Sequence, residues 1–366
     1  MMTDFRRCWA EIDLPALRQN ARTVRERVGA AEVMAVVKAN AYGHGMAEVA
    51  QTLAREVQLF GVANLQEAIA LRDVVAHPIV ILGPALVEER PEIALRRFIP
   101  TVSTFEEASD FNRTAADRPV AINFKIDTGM GRVGVLENEA LDLVQRLRAL
   151  PGLEIHSVST HTPAADDDPV YTKDQIRRFR ELLNQIRTKA PGSYKAHALP
   201  SAGALAFADD QFDIVRVGLA LYGISPLPEF QPELEPVLTW KARIGLIRTV
   251  PKGTSISYGR TFIAPGPMQI GTITAGYADG YPRHLSNRGS EVLVNGRRCK
   301  LLGRVTMDLI VIDLSDVPDA NVGHEVVLMG RQGDGQISGT ELATRAGTIP
   351  WEIVSRIGTR VQRVYV

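Results

Sequence analysis

Residues Val33–Asn64 read VMAVVKANAYGHGMAEVAQTLAREVQLFGVAN. The stretch is apolar and rich in β-branched residues up to Val37, ends that run on Lys38, and passes through a segment containing Gly43 and Gly45. From Met46 apolar residues return three and four positions apart, and at Leu59 a second short apolar run opens. A buried run, an amphipathic helical stretch and another buried run predict a strand–helix–strand unit with parallel strands.

The same beat continues in both directions of reading. PIVILG (78–83), FIPTVS (98–103), VAINFKI (120–126), EIHSVST (154–160), KAHALPS (195–201) and IVRVGLAL (214–221) read as further strands. LQEAIALRDVV (65–75) and NEALDLVQRLRAL (138–150) have helical spacing. Eight strand-like runs separated by helices predict an α/β fold, an N-terminal (β/α)8 TIM-like barrel. Four prolines between Pro226 and Pro236 then break the pattern, since neither a helix nor a central strand tolerates them. Beyond them, WKARIGLIRTV (240–250), MQIGTITAGY (268–277), EVLVNGRRCKLLGRV (291–305), LIVIDL (309–314) and EVVLMG (325–330) are strand-like with few helices between. Asn295-Gly296 marks a hairpin. The expected division is a barrel over 1–230 and a mainly antiparallel β domain over 231–366, with about the first eight residues candidates to pair with the β domain.

Composition narrows the partners. Lys plus Arg and Asp plus Glu both number 42, so no basic excess points to nucleic acid or an anionic membrane, and small neutral or zwitterionic partners are favoured. Neither an apolar leader nor a run approaching the ~18 residues of a membrane span is found, and a cytoplasmic location is expected. Cys8 and Cys299 are the only cysteines and lack histidines at ligand spacing, so neither a disulfide framework nor a metal site is expected.

In such barrels reactive groups gather at the C-terminal ends of the strands. Lys38 ends the first run, Lys125 lies near the end of the fifth with Arg132 just after it, His161 follows the sixth, Ser201 follows the seventh, and Arg216 lies in the eighth. A partly desolvated lysine beside other cations loses its proton more readily and can form an imine with an aldehyde. Ser201 and the backbone of Gly218 and Leu219 fall after strands seven and eight, where these barrels hold phosphate. An imine-forming lysine and a phosphate cradle in one mouth fit pyridoxal phosphate. In VAINFKI, Asn123 and Lys125 share one face and Val120, Ile122, Phe124 and Ile126 the other, so Lys125 should point into the barrel.

The segments AVVKANAYGHG (35–45), WAEIDLPALRQN (9–20), NFKIDTGMGRVG (123–134), STHTPAADD (159–167), VRVGLALYG (215–223), SISYGRTF (255–262), GYADGYPR (276–283) and GRVTMD (303–308) together resemble alanine racemases, fold type III pyridoxal phosphate enzymes. The resemblance implies that Lys38 holds pyridoxal 5′-phosphate and serves as one base, and that Tyr258, reaching the pocket of the other subunit of a homodimer, serves as the second base in interconverting L- and D-alanine. One base on one face would return the proton where it came from. Tyrosine is a weak base near neutral pH unless cations stabilise its phenolate, and Arg216 and His161 are the expected chain for this. Arg216 is expected to face the pyridine nitrogen, which then stays unprotonated because arginine does not readily release a proton.

By the same resemblance Lys125 is carbamylated and orients Arg132, which contacts the cofactor's phenolic oxygen and the substrate carboxylate. Tyr42, Ser201, Gly218 and Leu219 match phosphate contacts, Met307 and Asp308 a partner-subunit segment closing over the substrate, and Tyr277 an entry corridor. The chain departs from the family at Trp351 of IPWEIVSR (349–356), where a phosphate-binding tyrosine is usual, and at Thr306, where a small or sulfur-bearing residue is common. D-Alanine for peptidoglycan, or alanine catabolism, is the implied role. Other readings are a racemase of another small amino acid such as serine, a fold type III decarboxylase, a non-catalytic pyridoxal phosphate carrier, and a class I aldolase. Arg216 opposes the decarboxylase, the C-terminal β domain opposes the carrier, and the aldolase leaves Tyr258 and Arg216 without a task.

Overall fold

The computed structural model describes residues 5–366. They form two compact units, one built from Leu17–Ala41 and Met46–Glu235, the other from the N-terminal segment through Ala16, Tyr42–Gly45 and Pro236–Val366. Strand β1 (Cys8–Ile12) belongs to the second unit. The first unit contains β2 (Glu32–Val36), β3 (Leu59–Val62), β4 (Ile79–Pro84), β5 (Ile99–Val102), β6 (Val120–Asp127), the short β7 (Val135–Leu136), β8 (Leu153–Ser159), β9 (Lys195–His197) and β10 (Ile214–Val217).

All eight runs read as barrel strands are strands. They pair in parallel in the order β2-β3-β4-β5-β6-β8-β9-β10, and β10 returns to β2 to close the barrel. The helices between them start where the sequence offers caps. The Asn64 side chain accepts from the Glu67 N–H, Thr104 and Glu107 cap each other, and Asp168 accepts from the N–H groups of Val170 and Tyr171. Buried Met34, Leu59, Val80, Ile99 and Ile214 cluster near the starts of their strands. Ile214 precedes Arg216 by two residues and Ile99 precedes Thr101 by two, so the cluster faces the barrel interior and forms its floor. Full burial of each such side chain stabilises the fold by roughly 1.5–3 kcal/mol.

In the second unit β1 runs antiparallel to β11 (Leu238–Val250) and parallel to the strand at Gln362–Tyr365. Of the first eight or so residues considered for pairing with this sheet, 1–4 lie outside the described residues, and Cys8 opens β1. Strand β11 also pairs with Met268–Ile273 and Glu325–Gln332, both antiparallel. Asn295 (φ 50°) and Gly296 (φ 77°) turn the hairpin between Glu291–Val294 and Arg297–Lys300, as the Asn-Gly pair predicts. The proline-rich segment is a short 3₁₀ turn, Pro228–Glu233.

Candidate active site

Lys38 leaves the C-terminal end of β2 into a left-handed turn. Ala39, Asn40, Ala41 and Tyr42 all have φ of 52–53°. Each L-residue held there costs about 1–2 kcal/mol, so the turn must be fixed from outside. The Glu67 carboxylate accepts from the N–H of Ala39 (2.7 Å) and of Ala63 (2.8 Å), bracing the turn against the end of β3. Asn40 Oδ1 accepts from the N–H of Met46 (2.9 Å). Gly43 leaves no room for a side chain, because a Cβ would lie 2.2 Å from the Val354 carbonyl oxygen. Burial, and then the charge of Arg132, push the Lys38 amine below the ordinary lysine range, with Glu67 opposing them.

Arg216, in β10, is buried and turned inward. Its Nη2 donates to the carbonyls of Ala198 (2.7 Å) and Thr160 (2.8 Å) and to His161 Nδ1 (2.9 Å), while Nη1 donates to His197 Nδ1 (2.5 Å). Burial lowers the guanidinium to about 10, which leaves it a cation at neutral pH. Arginine only donates, so both histidines accept through Nδ1 and are neutral with the proton on Nε2. Burial first, and Arg216 next, accordingly lower His161 to about 2. His161 thus offers an Nε2–H rather than the positive charge expected from the sequence.

Lys125 points inward, as alternation along β6 predicts. Burial and then the charges of Arg216 and Arg132 push its amine well down, with only Asp127 acting the other way. Asp127 is committed to the loop that follows, accepting from the N–H groups of Gly129 (2.9 Å), Met130 (2.8 Å) and Arg132 (3.1 Å). Gln175 joins this loop to the next, donating to Thr128 Oγ1 and to the His161 carbonyl at 2.9 Å each. Arg132 and His161 are therefore tied through their backbones.

Ser201 Oγ accepts from the N–H of Gly218 (3.0 Å) and Ala220 (3.4 Å), on either side of Leu219. With its lone pairs so used, the hydroxyl hydrogen has no acceptor among the described residues. A phosphate oxygen is an acceptor of the right kind, so this corner suits the anionic end of a phosphorylated cofactor. Lys38, whose amine is biased toward its neutral, nucleophilic form, suits the aldehyde end.

The remaining expected residues belong to the second unit. Tyr42 is buried, and that burial pushes its phenol up to about 12. Tyr258 sits on a turn held by Ser257 (φ 62°) and Gly259 (φ 72°) and is 71% exposed, so its own unit does not use it for packing. The N–H groups of Tyr277 and Ala278 donate to the carbonyls of Thr306 and Met307, at 3.0 Å each, which aligns Tyr277 with the Met307–Asp308 segment. Arg360 clamps both parts, bonding Asp279 twice (2.7 and 3.0 Å) and Asp308 once (2.7 Å). Thr306 closes its own loop through Leu309, donating to its carbonyl at 2.8 Å, which gives this departure a local structural role. Trp351 is half-buried in the helix Pro350–Ser355.

Sequence reasoning passed over His197 and Glu67. The alternation that turned Lys125 inward also applies to Lys195 and His197, so that signal was present; Glu67 carries no signal beyond its place on a helix.

Models of the alanine racemase N-terminal and C-terminal domains match residues 12–226 and 237–365. The alanine racemase of Halothermothrix orenii is 43% identical, over 98% of this chain and 96% of its own. The solved alanine racemase of a D-cycloserine-producing Streptomyces lavendulae is 34% identical with a TM-score of 0.93, covering 100% of this chain and 98% of its own. That of Bartonella henselae, with covalently bound pyridoxal phosphate, is 29% identical with a TM-score of 0.91, covering 99% and 100%. Among the described residues no helix is long and apolar enough to cross a membrane.

Proposed function

This chain belongs to the alanine racemase family, and on that premise we propose how its residues interconvert L- and D-alanine. The observation that carries the proposal is Lys38, an amine driven toward its neutral form at the C-terminal mouth of the barrel that also buries Arg216. The family depends on pyridoxal 5′-phosphate. When bound, that cofactor supplies an electron-withdrawing ring that acidifies Cα of the attached amino acid.

Lys38 Nζ would hold the cofactor and, once displaced by substrate, carry the Cα proton on one face. Tyr258 would carry it on the other, supplied by the second subunit of a homodimer. Its exposure, together with the exposed apolar side chains of Ile263, Met307 and Leu309 in the same unit, supports that reading. His161, neutral and with its Nε2–H available, would hydrogen-bond the phenolic oxygen or a group linked to it. Arg216 would keep a cation against the ring nitrogen without giving up a proton. Charge developing at Cα is then weakly delocalised and quickly reprotonated, which favours racemisation over side reactions.

Ser201, the backbone at Gly218 and Leu219, Tyr42 and Trp351 would hold the phosphate. Met307 and Asp308, supplied like Tyr258 by the second subunit, would close over alanine, and Tyr277 would line the entry corridor. Lys125 would react through its neutral amine with carbon dioxide, forming an N–C bond and releasing a proton, and the resulting carbamate would pair with Arg132 at the substrate carboxylate. The low proton affinity of Lys125, imposed by burial and the charges of Arg216 and Arg132 against Asp127 alone, supports this. Incubating L-alanine with the cofactor-loaded protein in D2O, with chiral chromatography and mass detection, tests the whole reading. D-Alanine deuterated at Cα is the expected product. Exchange with retention of the L form would mean that only one base works, and no exchange would exclude alanine as substrate.

A further inference from the structure

The interior of the barrel carries a second set of polar side chains that the proposed reaction does not use. They begin at His197 Nε2, which lies 3.3 Å from Ser157 Oγ. Ser157 Oγ donates to Asn123 Oδ1 (3.0 Å), Asn123 Nδ2 donates to Thr101 Oγ1 (3.0 Å), and Thr101 Oγ1 donates to the Ile81 carbonyl (2.7 Å). All of these side chains are buried. With Arg216 at its head the series crosses β10, β9, β8, β6, β5 and β4, six consecutive neighbours in the barrel.

Its direction is fixed at both ends. Arg216 cannot accept, so His197 Nδ1 must, and the imidazole proton resides on Nε2. That Nε2–H needs an acceptor, and Ser157 Oγ is free to accept because its own hydrogen goes to Asn123. Asn123 presents its oxygen to Ser157 because its amide nitrogen is taken by Thr101, whose hydrogen is in turn held by the Ile81 carbonyl. Every donor along the belt thus points away from Arg216 and every acceptor toward it.

We infer that Ser157, Asn123 and Thr101 are positioning residues for Arg216: through His197 they form a belt of single polarity that fixes the imidazole tautomer and, with it, one arm of the guanidinium. The other tautomer would set an N–H against Arg216 Nη1 at 2.5 Å, two donors facing each other, and the guanidinium would have to turn away. Burial, Arg216, Lys125 and His156 all oppose a second proton on His197, which agrees with a neutral ring. Replacing both partners of a buried hydrogen bond by apolar groups of the same shape can be nearly neutral for stability. What the polar belt adds is therefore orientation. Its effect on rate rests on the racemase reading; its effect on the histidine does not.

The test begins with the unmodified protein, labelled with 15N-histidine, with and without pyridoxal phosphate. Long-range 1H–15N correlations, with His197 assigned by the signal lost in His197→Gln, should show a neutral ring protonated at Nε2 and unchanged between pH 6 and 8.5. An Nδ1–H tautomer, or titration in that range, overturns the inference whatever the enzyme's activity. Ser157→Ala and, separately, Thr101→Val should each broaden or shift the His197 resonances and lower kcat up to about tenfold with KM little changed. Repeated in an Arg216→Lys background, each should lower kcat less than about twofold, because the group acted upon is gone. An equal loss in both backgrounds would reduce the belt to a structural feature.

Discussion

The floor of the barrel and its belt fill the same interior by opposite means. Met34, Leu59, Val80, Ile99 and Ile214 exclude water with apolar volume. Above them, on β5, β6, β8 and β9, Thr101, Asn123, Ser157 and His197 fill space with groups that each satisfy the next. The floor can be repacked by apolar side chains of similar total volume. The belt cannot, because exchanging one member strands its neighbours. Stability is concentrated in the first and direction in the second. Lys125 belongs to neither, as a buried amine next to two guanidinium groups.

The largest expected effect lies at the mouth. Lys38→Ala should lower racemisation by at least about 10³-fold, the scale of a lost acid–base group or more, while the urea midpoint of the protein stays near that of the parent. A comparable fall in stability would deny that the two duties are separated. Leu59→Ala, in the floor, should do the reverse, costing about 2–5 kcal/mol in urea unfolding and leaving kcat of the folded enzyme unchanged.

Lys125→Met probes the residue outside both groups. The folded-state pKa of Lys125 lies well below the ordinary 10.5, so protonating it works against folding. That penalty is whole below the folded pKa and vanishes as pH rises to the unfolded value, where both states are neutral. In CO2-free buffer the variant should be the more stable at pH 6, with the gap closing toward pH 10. Bicarbonate should stabilise the parent and not the variant, by mass action on the carbamate. The smallest effect is expected for Glu67→Gln. Glu67 raises the proton affinity of Lys38, so its neutralisation should move cofactor attachment, followed by absorbance against pH, to lower pH. The loss of charge on the two backbone bonds should cost about 1 kcal/mol.

The eight barrel strands were legible because each is a short, largely apolar run closed by a polar or glycine-bearing segment, and the inward course of Lys125 followed from a period of two. The belt was not legible. Thr101, Asn123, Ser157 and His197 lie on four strands far apart in sequence, and each alone is an ordinary polar residue; only the closed order of strands makes them neighbours. The 3₁₀ turn at Pro228–Glu233 shows that prolines ending an α-helix still allow a tighter coil. The hand of the turn after Lys38 was also hidden. Ala-Asn-Ala-Tyr carries no residue that demands positive φ, and the bracing comes from Glu67, a residue distant in sequence.

That turn has a consequence for chirality. A backbone with φ near +52° is the mirror of an ordinary right-handed helix, and a D-residue adopts it as readily as an L-residue adopts its opposite. Ala39 and Ala41 are therefore L-alanines held in the geometry natural to D-alanine. Chemical ligation of a chain with D-alanine at either position should relieve about 1–2 kcal/mol of strain per residue. The protein's own reaction produces the enantiomer that this part of its backbone would accommodate best.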